Sequence, residues 1–325
     1  MGWSLRRFSL TKAVPLAISS GTTAQVEHLE LTFSMDGYSG RGETGGFDTG
    51  HRAFSTDQLA LELEALLPKL GDVDPADRQQ LAPLLQPLSP PARCAVDLAL
   101  WDWWGQRLEQ PVWRLFGLDG HRPVATSVTL GLGSVDAVLS RLQRWWRQLP
   151  ATRIKLKLGS ADGCDHDRAL LEAVAQALQE QAQQQQQPME LQVLDPDRDT
   201  AAFAALKPHC AMALVADESC WDLQDLLRLA PHVDGVNLKL LKSGGLSEAW
   251  LMAQVAQRLD LDLMIGCYSD SVLLNGAAAQ LLPLIRWPDL DSHLNLVDDP
   301  YQGLDLVGDQ LRAPAAAGLG ISRAS

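Results

Sequence analysis

From about residue 123 onward, short apolar runs alternate with helix-patterned stretches, and nothing else in the chain constrains its fold so tightly. The runs lie at 124–130, 153–158, 190–194, 213–216, 235–240, 261–267 and, more weakly, 293–297. Helical periodicity fills most of the intervals, as at 168–182, 222–229 and 247–259. Such alternation builds a parallel sheet through right-handed crossovers. Seven strands in one sheet of this length predict a barrel rather than an open sheet. The first 120 residues read differently. Residues 25–33 (QVEHLELTF) alternate as a strand, Met35-Asp36-Gly37 reads as the following turn, and Gly40 to Glu43 as a second strand. Helical spacing appears at 55–70, and Pro90-Pro91 opens a helix reaching Leu108. Its Trp101, Trp103 and Trp104 read as a core-facing stripe. The glutamine tract 183–187 reads as a helix end or loop.

Charge and cysteine usage then remove whole classes of function. The 325 residues carry 40 acidic and 27 basic side chains, a net charge of −13, which disfavours nucleic acid and anionic membranes as partners. Five cysteines without a CxxC pair argue against a disulfide framework or a zinc site. No apolar run approaches the roughly 20 residues that span a bilayer. Arg6-Arg7 is followed by Lys12 and Pro15, which does not suit a signal peptide. A cytoplasmic, reducing setting is the expectation.

In a βα barrel the active site lies at the carboxyl ends of the strands, so polar residues there are the candidates. Lys155 and Lys157 end the second run and alternate onto one side. Asp195 ends the third, Asp217-Glu218 the fourth, and the fifth holds Asn237 and Lys239. Asp289 and Asp291 follow the last strong run. Taken singly, each has a plainer reading, since strand-end lysines are usually solvated and Asp217 could cap the next helix. Together they ring one mouth with opposite charges that would be costly to bury unpaired. A polyvalent cation or an anionic substrate would resolve that cost.

At these residues the chain resembles the muconate-lactonizing branch of the enolase superfamily, and within it the dipeptide epimerases. The resemblance is carried by Gly40 to Glu43 (GRGE), 95–102 (AVDLALWD), Lys155-Leu156-Lys157 and 216–219 (ADES). Asn237 to Lys239, Lys242 to Gly245 (KSGG), Gly266-Cys267 and 318–321 (GLGI) extend it, and Asp289-Leu290-Asp291 is similar to the Asp-x-Asp signature of dipeptide epimerases. The resemblance implies an α/β fold. In it an α+β capping domain (1–122) covers a modified (β/α)7β barrel (123–305), and a segment (306–325) returns to the cap. It implies epimerisation of an L-Ala-L-Glu-like dipeptide by two-base proton transfer, through an enediolate stabilised by Mg2+. Lys157 and Lys239 would face opposite sides of the α-carbon. Lys155 would lower the proton affinity of Lys157 and help bind carboxylate. Asp289 and Asp291 would hold the substrate ammonium, Thr129 would touch substrate, and Asp195 and Asp217 would bind the metal. A homo-oligomer is implied as well.

One departure stands out. Only 22 residues separate Asp195 from Asp217, room for one βα step where the family has two. No Glu-Gln-Pro stretch carries the middle metal carboxylate, so a barrel strand and a ligand are expected to be missing. Two other readings follow: a catalytically impaired homologue with a binding role, and an o-succinylbenzoate synthase-like dehydratase. The Asp-x-Asp pair disfavours the latter, whose substrate has no ammonium group.

Overall fold

The computed structural model describes residues 1–18, 21–71, 73–194 and 200–324. Asp195, with Asp197 and Asp199, therefore lies outside the described residues. The chain opens with three antiparallel strands, β1 (Gly2–Ile18), β2 (Gly21–Met35) and β3 (Tyr38–Gly45). Asp36 and Gly37 link the last two with φ of 55° and 81°. Positive φ at both central residues is the type I′ geometry, which matches the twist of the flanking strands. The sequence reading did not find β1, and the reason is physical. Trp3 and Leu5 pack into the capping core, whereas Phe8 and Leu10 belong to the barrel core. The strand serves two cores, so its alternation changes phase at Arg6-Arg7.

A short hairpin follows, β4 (Phe47–Asp48) and β5 (Ala53–Phe54). Next come α1 (Thr56–Leu66), whose N-cap Ser55 accepts the Gln58 N–H, and α2 (Arg78–Leu85). Helix α3 (Pro90–Leu108) lies directly on β3, and short α4 (Val112–Leu115) leads out of the layer. Trp103 is wholly buried in the capping core, with Trp104 packed against that core and Trp101 against the barrel core.

Short β6 (Val124–Ala125) leads into the barrel strands, β7 (Ser127–Leu130), β8 (Arg153–Lys157), β9 (Glu190–Leu194), β10 (Val215–Ala216), β11 (Gly235–Leu238), β12 (Asp262–Gly266) and β13 (Trp287–Asp289). Between them run α5 (Val135–Gln148), α6 (Cys164–Gln185), α7 (Thr200–Leu206), α8 (Leu223–Leu229), α9 (Leu240–Ser243), α10 (Leu246–Arg258) and α11 (Val272–Ala279). The glutamine tract supplies the end of α6, where Gln186 takes the left-handed C-cap. Strands β7-β8-β9 form one parallel sheet and β10-β11-β12-β13 another. The two meet where the Ser127 hydroxyl donates to Asp289 at 2.6 Å and the Leu290 N–H to Thr126 at 3.0 Å. Among the described residues no strand bridges β9 and β10.

The last barrel strand is a correction to the sequence reading, which placed it at 293–297. Parallel register with β12 pairs Met264 with Trp287 and Gly266 with Asp289, so the strand falls earlier. Residues Ser292–Asn295 form a 3-10 turn instead, and the Val297 N–H bonds to Thr11 of the cap. Beyond it, β14 (Tyr301–Gln302) pairs with β17 (Ser322–Arg323), and β15 (Leu306–Val307) and β16 (Gln310–Leu311) extend from β6. The C-terminal segment joins the N-terminal layer: Gly318 accepts the Val112 N–H, and Asp102 on α3 accepts the Leu319 N–H at 2.8 Å. All five cysteines are free thiols, and no described helix is long and apolar enough to cross a membrane.

Candidate active site at the barrel mouth

Strand β8 ends in Arg-Ile-Lys-Leu-Lys, which places Lys155 and Lys157 on the inner side. Lys155 is buried and its Nζ contacts Asp289 at the end of β13. Burial works against both charges, but each stabilises the other. Lys155 is held above its ordinary value, and Asp289 below the usual carboxylate range. With Ser127 donating to its second oxygen, Asp289 is fully engaged inside the protein. Asp291 is placed differently. Its Oδ2 accepts the Thr129 N–H at 2.6 Å, while its Oδ1 meets, among the described residues, only the Cys267 thiol at 3.9 Å. Burial first, and then the neighbouring Asp289, push Asp291 up to about 6. Thr129 thus orients Asp291 through its backbone.

Lys157 contrasts with Lys155. No described carboxylate lies within ion-pair distance of it, and burial brings it down to about 8, helped by the positive charges of Lys155 and Lys239. That mutual influence puts Lys157, Lys155 and Lys239 in one cluster. Lys239 follows β11 and N-caps α9, with its Nζ 2.9 Å from both Asp217 and Glu218. Burial alone would lower it, yet Asp217 and then Glu218 hold it well above its ordinary value. The two lysines therefore differ in how readily they release a proton: Lys239 stays charged, whereas Lys157 loses its proton near pH 8.

Lys242, the first residue of the KSGG stretch, joins the same cluster. It is almost wholly buried and donates to Asp217 Oδ1 at 2.9 Å, to the Asp217 carbonyl, and to the Asn237 carbonyl at 3.2 Å. A lysine one helical turn past Lys239 carries no mark in the sequence of being inward. Glu43 sits at the seam between the layers, accepting the Ser271 N–H at 3.2 Å at the start of α11 and bonded to His28 at 2.7 Å. Aromatic rings complete the mouth: Tyr268 beyond β12, Trp221 beyond β10, and Phe47 from the β4–β5 hairpin.

A divalent ion of the Mg2+ type needs about six oxygen donors in octahedral array, usually with more than one carboxylate. Among the described residues Asp217 offers one buried, unpartnered oxygen, Oδ2, while its Oδ1 is shared by two ammonium groups. The one hydrogen-bonded oxygen of Glu218 is taken by Lys239. No three metal-donor side chains converge among the described residues. The described donors alone do not complete a site for such an ion, and the expected co-ligand Asp195 lies outside the described residues.

Two comparisons of sequence and one of shape bear on this arrangement. Residues 4–117 match the mandelate racemase / muconate lactonizing enzyme N-terminal domain, and residues 192–323 the enolase C-terminal domain-like family. A hydrophobic dipeptide epimerase of Flavobacteria bacterium (strain MS024-2A) is 31% identical, over 98% of this chain and 97% of that protein. The L-Ala-D/L-Glu epimerase from Bacillus subtilis, solved with substrate, superposes with a TM-score of 0.89 at 22% identity, covering 100% of this chain and 99% of that one. A dipeptide epimerase from Enterococcus faecalis V583, solved with Mg and L-Leu-L-Tyr, gives 0.87 at 25% identity, with 99% of each chain covered. A capping layer over a barrel, paired lysines at β8 and β11, and sequence likeness along nearly the whole length agree: the chain belongs to the mandelate racemase/muconate lactonizing enzyme family of the enolase superfamily.

Proposed function

We propose that the protein is a dipeptide epimerase in which Lys157 and Lys239 exchange protons with opposite faces of the substrate α-carbon. The observation that carries this is the pair of lysines in one charged cluster, Lys239 bound to Asp217 and Glu218 and Lys157 without a described carboxylate partner, so that Lys157 gives up its proton far more readily. Lys157 takes the α-proton on one face, and the Lys239 ammonium delivers a proton to the other, which inverts the centre. In the reverse direction the roles exchange. Lys155, fixed on Asp289, keeps a positive charge beside Lys157 and beside the substrate carboxylate. Asp291, with one oxygen open, receives the peptide ammonium; Asp289 anchors Lys155 instead.

The substrate class follows from the surroundings of Lys239. Phe47, Trp221 and Tyr268 form an aromatic surface there, which suits an apolar side chain. The name of the Flavobacteria relative, a hydrophobic dipeptide epimerase, supports the same choice. The test is exchange of the α-proton in D2O, followed by NMR over a dipeptide panel. Apolar dipeptides are expected to exchange and epimerise; no exchange with any member removes the reading and leaves an impaired homologue. Asp291→Asn tests the ammonium site. It should raise KM at least about tenfold, the cost of leaving a cation without its buried partner. The same change should raise stability by about 1–3 kcal/mol at pH 8, since it removes a carboxylate that burial disfavours. The sign is set by the raised value. Asp291 contributes stability when protonated, and that contribution is lost as pH rises through about 6.

A further inference from the structure

Two acids are not the whole environment of Lys239. Its Nζ also lies 4.5 Å from the centroid of the Tyr268 ring, and Phe47 stacks on that ring at 4.1 Å with an 18° interplanar angle. Phe47 is paired in register with Phe54 across the β4–β5 hairpin, and both rings meet Trp221 at 6.1 Å. The hairpin is braced at each end: the Gly46 N–H donates to the Thr56 hydroxyl at 3.0 Å, and the Arg52 guanidinium lies 4.4 Å over Trp221. The Tyr268 hydroxyl, by contrast, is buried without a hydrogen-bond partner among the described residues. A tyrosine placed this way owes its position to its ring contacts rather than to its oxygen.

We propose that Tyr268 is a positioning residue for Lys239, and that Phe47 of the capping hairpin holds Tyr268 for this task. The proposal rests on the reading of Lys239 as a proton carrier. Asp217 and Glu218 draw the ammonium toward themselves through strong, directed hydrogen bonds. An aromatic face attracts the same ammonium without fixing the direction of any N–H, which leaves a proton free to turn toward the substrate. Among the described residues no aromatic ring lies at cation–π distance from Lys157. The cap thus completes the site on one face of the α-carbon only, and losing the contact must affect the two faces unequally.

The experiment measures α-proton exchange in D2O separately from each epimer of an exchanging dipeptide, using the full chain. Lys239→Ala identifies the epimer that Lys239 deprotonates. Tyr268→Leu is expected to slow exchange of that epimer about tenfold, and of the other less than about threefold, the scale of one buried cation–aromatic contact. Tyr268→Phe should restore the ratio, and Phe47→Ala should reproduce the asymmetry in weaker form. Equal slowing of both epimers, or an unchanged ratio in Tyr268→Leu and Phe47→Ala alike, overturns the proposal. A second readout does not need turnover. With 13C-labelled lysine, the Lys239 ε-methylene, assigned through Lys239→Arg, should show an upfield ring-current shift that Tyr268→Leu abolishes and Tyr268→Phe keeps. A signal that stays in place in Tyr268→Leu also overturns it. If the unaltered protein exchanges no dipeptide while the ring-current shift is present, the epimerase reading falls and the contact stands.

Discussion

At the residue scale, the site works by giving chemically identical side chains different surroundings. Lys155, Lys157, Lys239 and Lys242 share one mouth, yet only Lys157 lacks a described carboxylate partner. Burial therefore outweighs the more distant pull of Glu218 and Asp289, and with the charges of Lys155 and Lys239 beside it brings Lys157 to about 8. This predicts the pH dependence of the half-reaction that Lys157 begins. Its rate should rise about tenfold per pH unit below about 8 and level off above, because only the neutral amine accepts a proton. Exchange from the epimer facing Lys157, measured between pH 6 and 10, checks this; a flat profile would show that another group removes the proton. Asp217 is the converse case. Burial opposes its ionisation, but Lys239 and Lys242 hold it well below the carboxylate range. The lysines at 155, 157 and 239 and the acids at 217, 289 and 291 were all legible as strand-end residues. Their pairing was not, since ion pairs join residues 134 or 22 positions apart.

Elements carry a different kind of constraint, the closeness with which backbone meets backbone. Strand β3 lies so near α3 that a Cβ on Gly42 would stand 2.0 Å from the Ala95 carbonyl oxygen, and one on Gly40 2.1 Å from that of Ala99. Neither obstacle is a flexible side chain, so strand and helix would have to separate. Gly42→Ala should cost about 3 kcal/mol or more, at the upper end of overpacking penalties. Urea denaturation measures it, and a loss under about 1 kcal/mol would show that the two elements slide apart easily. The consequence reaches the site, because Glu43, the next residue, ties β3 to the start of α11 through Ser271. The GRGE stretch was visible in the sequence as a motif; that its glycines meet a helix backbone was not.

Across the whole molecule, the barrel sheet is in two pieces. Strands β9 and β10 each have a partner on one side, and among the described residues neither has one on the other. Unpaired strand edges open more readily than strands paired on both sides. Hydrogen exchange followed by mass spectrometry should therefore find amides of 190–194 and 215–216 exchanging at least about tenfold faster than those of 235–238 and 262–266. Equal protection would mean that another part of the chain covers the gap. The 22-residue spacing between Asp195 and Asp217 already pointed to this break, because one βα step consumes about that length.

The sequence by itself determined the alternation of strand and helix, the barrel it implies, the short spacing between Asp195 and Asp217, and the polar residues at the strand ends. These are local properties: periodicity, spacing and residue type follow from neighbours along the chain. Only the tertiary structure decided that Asp289 serves Lys155 while Asp291 stays open, that Lys242 turns inward, that β1 divides its faces between two cores, and that a capping hairpin reaches Lys239 through Tyr268. Each of those depends on which distant groups share a small volume without water. Charge pairing and burial there outweigh the local preferences that a sequence records.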